Sequence, residues 1–202
     1  MKAEHPSGHQ TLEGERLSDP PQGRIDAQAL FRAHARFVAS FLRRLGTPSG
    51  EIDDLVQEVF LIAHRKGGFV PGTGAPRSWL GAIALRVASG NKRSRTRRRE
   101  EPIEAALSDA VADVDVARAL EAQQALRCVQ QALDTLDLEH RAAFVLYEFE
   151  GEACESIAAS LGIPLGTVYS RLHHGRRRFL QAFAAFESGK PVVARRRLAG
   201  GT

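Results

Sequence analysis

The stretch Glu155–Arg178, reading ESIAASLGIPLGTVYSRLHHGRRR, leaves this chain little choice of local fold. Ile157, Ala158 and Leu161 lie at helical spacing, Gly162 permits a tight turn, and Val168 and Leu172 pack a second helix onto the first. This is the pattern of a helix-turn-helix, whose second helix can enter a major groove with its N-terminal residues at the base edges. Gly166, Thr167, Tyr169, Ser170, Arg171 and His173 are then presented outward. Arg176, Arg177 and Arg178 continue along the phosphates. The alternative is a plain helical hairpin with a solvated basic face. Ala153 departs from the pattern, because a capping Ser or Thr belongs there and its absence costs the first helix about 1 kcal/mol.

The rest of the chain also reads as helix. Asp26 caps a helix carrying Leu30, Phe37, Phe41 and Leu45, with Ile25 and Leu30 as a hydrophobic staple and Gly46 as its stop. A second helix, about 51–66, has the stripe Ile52, Leu55, Val56, Val59, Phe60 and Ala63, with Glu51, Asp54 and Glu58 on another face. GGFVPGTGAP at 67–76 is a loop, and Pro76 opens a third helix with Trp79, Leu80, Ile83, Ala84 and Val87 on its apolar side. Further helices are expected from Arg118 (Ala122, Leu126, Val129, Leu133 and Leu136 on one face), from the cap Asp137 to Gly151, over 154–161 and over 165–186. The predicted fold is all-α. Two small helical domains, 25–99 and 118–186, are joined by a flexible acidic linker at 100–117. A disordered leader at 1–24 and a basic disordered tail at 187–202 flank them.

Charge sharpens this division. The net +4 hides fifteen basic against five acidic side chains over residues 20–99, and two against ten over 100–139. A +10 module followed by a −8 connector suits a polyanion partner, with the connector expected to fold back on the basic module in the free chain. Cys128 and Cys154 stand far apart without a CxxC, which excludes a disulfide framework or a cysteine-rich zinc module. No apolar leader or 18-residue apolar run is present, so a cytoplasmic protein with no membrane insertion is expected. The seven histidines lack ligand spacing and no phosphate-binding glycine loop appears, so neither metal nor cofactor nor catalytic residue is expected.

Two further clusters carry chemistry. In EIDDLVQEVF, residues 51–60, adjacent Asp53 and Asp54 point in different directions. An acidic face for a basic protein partner is therefore more economical than a metal site. NKRSRTRRR at 91–99 has six basic residues in nine, which suits counterion release from nucleic acid. Trp79 is placed either as core or as a ring stacking on an unpaired base.

The acidic DDLVQEVFL helix, a WL-x-x-IA helix running into basic residues, a linker and LGIPLGTVYSRL together resemble the extracytoplasmic-function (ECF) group of bacterial sigma factors, over about residues 25–186. The resemblance implies a subunit that binds RNA polymerase core and directs promoter-specific initiation, with no enzymatic activity of its own. It makes Asp54, Leu55, Gln57, Glu58 and Phe60 the positions that dock on clamp helices of the largest polymerase subunit. It assigns melted −10 element DNA to Trp79, Arg86, Lys92, Arg93 and Arg95, and duplex −35 element DNA to Gly166, Thr167, Tyr169, Ser170, Arg171, His173, Arg176 and Arg177. The linker would thread channels that otherwise carry nucleic acid. Promoter DNA, core polymerase and a cognate anti-sigma factor are the implied partners, and the nucleoid the implied location. The chain departs from the group at Arg86 and Gly90, where Asn and Asp are common, and at His174-Gly175-Arg176, where R-A-R is frequent.

Two other readings stay open on the residues alone. A stand-alone helix-turn-helix regulator would bind duplex DNA without polymerase, and a metal-dependent enzyme acting on nucleic acid would need divalent cations.

Overall fold

Local rules set most helix boundaries. The structure, a computed structural model, describes residues 23–98 and 116–188. Most of the leader, residues 100–115 of the linker with its proposed fold-back, and the tail beyond 188 lie outside the described residues. Helix α1, Ala27–Arg44, begins where the Asp26 carboxylate accepts from the Ala29 N–H, and ends at Leu45 and the left-handed Gly46. Helix α2, Ile52–Arg65, is preceded by a 3-10 turn at Ser49–Glu51 that the periodicity did not reveal. Helix α3, Pro76–Arg98, starts on its proline and runs unbroken through Gly90 into the basic run.

Phe41, Leu42, Val38, Val59 and Leu80 are fully buried where these three helices meet. A backbone pair between Ile25 and Phe69 ties the start of α1 to the loop before α3. There Gly68 has a positive φ, and a Cβ would collide with the Ile25 carbonyl, so the loop can approach α1 only with glycine at 68.

The second unit comprises α4 (Val116–Asp134), α5 (Leu138–Phe144), α6 (Cys154–Leu161) and α7 (Leu165–Glu187). Asp137 caps α5 by accepting from the His140 N–H. The helix expected to continue to Gly151 instead widens into a π-helical turn at Val145–Phe149. Ala153 begins α6 with no side-chain cap, and Gly162 ends it in the left-handed conformation. Leu126, expected on the inner face of α4, is 58% exposed, whereas Val129 packs against the core and Leu133 and Leu136 are buried in it. Ile157, Val168 and Leu172 are buried as the helix-turn-helix pattern requires.

The two units do not stand apart. Their cores form one continuous apolar cluster, with α3 packed against α5 and α6. The chain was expected to hold two bundles on a tether; the described residues hold them in contact.

Candidate nucleic-acid interface

The turn Gly162–Pro164 aims α7 so that its first residues leave the core. Gly166, Tyr169 and Ser170 are exposed, with Tyr169 52% exposed, and Thr167 is half-buried. His173, Arg176 and Arg177 follow on the exposed side. Arg171 differs from the expected outward arginine: its guanidinium is bonded to Glu139 of α5 and only 16% of its side chain is exposed. Arg176 is bonded in the same manner to Glu148 in the π turn, and lies 5.2 Å over the Tyr147 ring. The hydrogen bond to Glu148 raises the Arg176 pKa above its ordinary value. Both arginines are thus held by carboxylates, one on α5 and one in the π turn.

Arg141 on α5 is 6% exposed. It donates to Asp134 at 2.8 Å and to the Leu136 carbonyl, leaving its Nε without a partner. Burial lowers its pKa, and the charge of Asp134 offsets part of that. No local pattern around position 141 marks this arginine as buried.

The first unit presents its cations differently. Arg86, Lys92 and Arg93 are exposed along α3. Arg95 leans back to Glu51 at 3.5 Å, and Asn91 donates to the same carboxylate. Trp79 is half-buried and packs on Phe69 with ring centroids 5.7 Å apart, so the ring joins the edge of the core rather than standing free.

On α2, Asp54, Gln57 and Glu58 are exposed, so the acidic face exists as read. Leu55 and Phe60, counted among the same contact residues, are instead 7% and 6% exposed and belong to the core. The reason is the period: they share the stripe of Ile52, Val56 and Val59, and that stripe is the side α1 and α3 cover. Exposed Phe31 of α1 meets Phe60 edge-on at 5.0 Å and extends this surface with Leu61. Neither Phe31 nor Leu61 was singled out from the sequence.

Among the described residues no group of three or more His, Cys, Asp or Glu is placed to hold a metal ion, and no helix is long and apolar enough to cross a membrane. Cys154 is buried, which raises its thiol pKa and makes it a poor nucleophile.

The chain thus joins an acidic-faced, cation-bearing helical unit to a helix-turn-helix unit. The Sigma-70 region 2 family matches residues 30–98, and the Sigma-70 region 4 family matches residues 126–179. The ECF RNA polymerase sigma factor SigE of Mycolicibacterium smegmatis is 34% identical over 161 residues, covering 79% of this chain and 62% of the relative. SigM of Mycobacterium tuberculosis is 30% identical over 184 residues, covering 90% and 89%. Among solved structures, the sigma factor RpoE bound to the anti-sigma factor NepR from Bartonella quintana aligns with a TM-score of 0.62 at 21% identity, over 78% of this chain and 96% of that one. The chain belongs to the ECF RNA polymerase sigma factors.

Proposed function

We propose that this chain binds RNA polymerase core and directs promoter-specific initiation, without a catalytic residue of its own, on the nucleoid in the cytoplasm. The observation that carries this reading is the order of the two family matches, each over a unit whose exposed face suits its part. Asp54, Gln57 and Glu58 engage the clamp helices of the largest subunit, with Leu55 and Phe60 shaping that surface from beneath. Arg86, Lys92 and Arg93 follow the phosphates of the melted −10 strand, and Arg95 joins them by leaving Glu51. Trp79 supplies an aromatic edge beside the strand. The α7 N-terminal face, Gly166, Thr167, Tyr169, Ser170 and His173, meets −35 base edges in the major groove, while Arg171, Arg176 and Arg177 take phosphates. Two weak DNA contacts on one chain gain from effective concentration. A cognate anti-sigma factor and the threading of the acidic linker belong to the same reading.

Transcription in vitro with purified core polymerase tests it. Wild type should give promoter-specific transcripts that Asp54→Ala and Arg171→Ala each lose by at least about tenfold, a transition-state or binding loss of about 1.4 kcal/mol. A stand-alone regulator would instead bind its site specifically without polymerase and give no transcripts.

A further inference from the structure

Helix α1 carries a row of cations that none of the contacts above employs. Arg32, Arg36 and Arg43 are exposed, and none makes an ion pair among the described residues. At about 100° per residue the three fall within about 40° of one another, and the centre of the buried face lies about 180° away. That buried face is made by Leu30, Phe37, Val38, Phe41 and Leu42. The arginines are therefore the outermost side chains of the helix, in a straight row about 16 Å long. Gln28, Ala29, Ala33, Ala39 and Ser40 flank them, and the helix Ala27–Arg44 contains no carboxylate. Helix stability does not account for this row. The helix dipole favours Arg43 in the last turn, but not Arg32 or Arg36. Arg32 and Arg36 stand four residues apart, where like charges oppose the helix. Charges of alternating sign mark a helix face that only meets water, and this face has one sign.

We propose that Arg32, Arg36 and Arg43 form a sequence-independent contact for the phosphate backbone of double-stranded DNA, separate from the cations of α3 and of the helix-turn-helix. Three features select this occupant. The row spans about five steps of one strand at about 3.4 Å per step, so each guanidinium can meet a phosphate. No aromatic ring stands in the row, so it lacks the platform that holds unpaired bases. No large apolar side chain flanks it, so it lacks the anchor of a protein interface. Phe31, the exposed ring of this helix, lies about 100° round from Arg32, against Phe60 of α2. Because α1 packs against α3, the row grips paired DNA beside the strand held by Arg86, Lys92 and Arg93. That placing rests on the sigma-factor reading; the duplex contact itself does not.

The test titrates the full chain, without polymerase, with a mixed-sequence DNA duplex and with one of its strands, at several ionic strengths. Circular dichroism checks that each variant keeps its helix content. With Arg32→Gln, Arg36→Gln and Arg43→Gln combined, the slope of log affinity against log salt should fall by about 2.7 for the duplex, three contacts at about 0.9 each. The slope for the single strand should fall by less than about half as much. The three positions changed to Lys should keep the wild-type duplex slope, because the backbone reads charge here. Arg65→Gln with Lys66→Gln removes exposed cations outside the row and controls for net charge. An unchanged duplex slope in the triple Gln variant would overturn the proposal. So would a strand loss as large as the duplex loss, or an equal loss per charge in the control. Promoter-specific transcription with core polymerase decides the sigma-factor reading separately, since the titration contains no polymerase.

Discussion

The two units present part of their candidate DNA-facing cations differently, although Arg95 of α3 also pairs, with Glu51, and Arg177 of α7 forms no ion pair among the described residues. Among the described residues of α3, Arg86, Lys92 and Arg93 make no ion pair, and their charges face solvent. In the helix-turn-helix unit, Arg141, Arg171 and Arg176 are each matched to a carboxylate of another element: Asp134 of α4, Glu139 of α5 and Glu148 of the π turn. A row of unpaired cations attracts any polyanion, whatever its sequence. Arginines already oriented by carboxylates lose less side-chain freedom when a phosphate replaces the carboxylate, but must give up one partner to gain another. The first arrangement favours capture and the second favours placement.

The comparison can be broken most forcibly at the shared core. Phe41→Ala removes a fully buried ring from the first unit and should cost about 3–5 kcal/mol. Because the apolar cluster is continuous, thermal unfolding followed by circular dichroism should show one transition, shifted downward as a whole. Two separated transitions, with only one moved, would show that the units unfold independently. Next in size, Lys92→Ala and Arg93→Ala should each reduce the salt slope of single-strand binding by about 0.7, measured by titration at several ionic strengths. An unchanged slope would remove these residues from the strand path.

The paired arginines predict a smaller and opposite result. Glu148→Gln releases Arg176, and duplex affinity should rise by up to about fivefold, since exposed pairs contribute about 0.2–1 kcal/mol. A fall in affinity would mean that Glu148 positions the arginine rather than competing with DNA. The smallest effect concerns His34. Burial lowers its pKa, the nearby Arg77 lowers it further, and Glu152 partly offsets both. The folded chain then binds fewer protons than the unfolded one just below the ordinary histidine value of about 6.5. Stability from this group is present above that pH and is lost as pH falls through the folded value. A slight decline in melting temperature on acidification should be absent in His34→Gln.

Local rules made the helices legible. Asp26, Pro76, Asp137 and Gly162 each mark a boundary through the backbone group they satisfy, or the φ they fix or permit. Such signals act over three or four residues and survive any change of surroundings. The apolar stripes located Val59, Ile157 and Val168 in the core for the same reason. The π turn was not legible, because its residues satisfy an ordinary helical pattern. Leu55 and Phe60 carry two readings at once: their phase on the apolar stripe buries them, while the resemblance counts them among the contact positions.

The candidate site divides along the same line. Exposure of Asp54, Glu58, Lys92, Tyr169 and Ser170 follows from helix phase alone, which any reader of the sequence can compute. The partners of Arg171, Arg176 and Arg44 lie 32, 28 and 106 residues away, where no local pattern reaches. By itself the sequence determined seven helices, their caps, the turn of the helix-turn-helix and the faces that carry charge. Only the tertiary structure decided that Leu146 sits over Gly81, that Glu150 gathers Arg44 and Arg77, and that the two units share a core. Helix phase identifies which face seeks cover, but long-range packing selects what covers it.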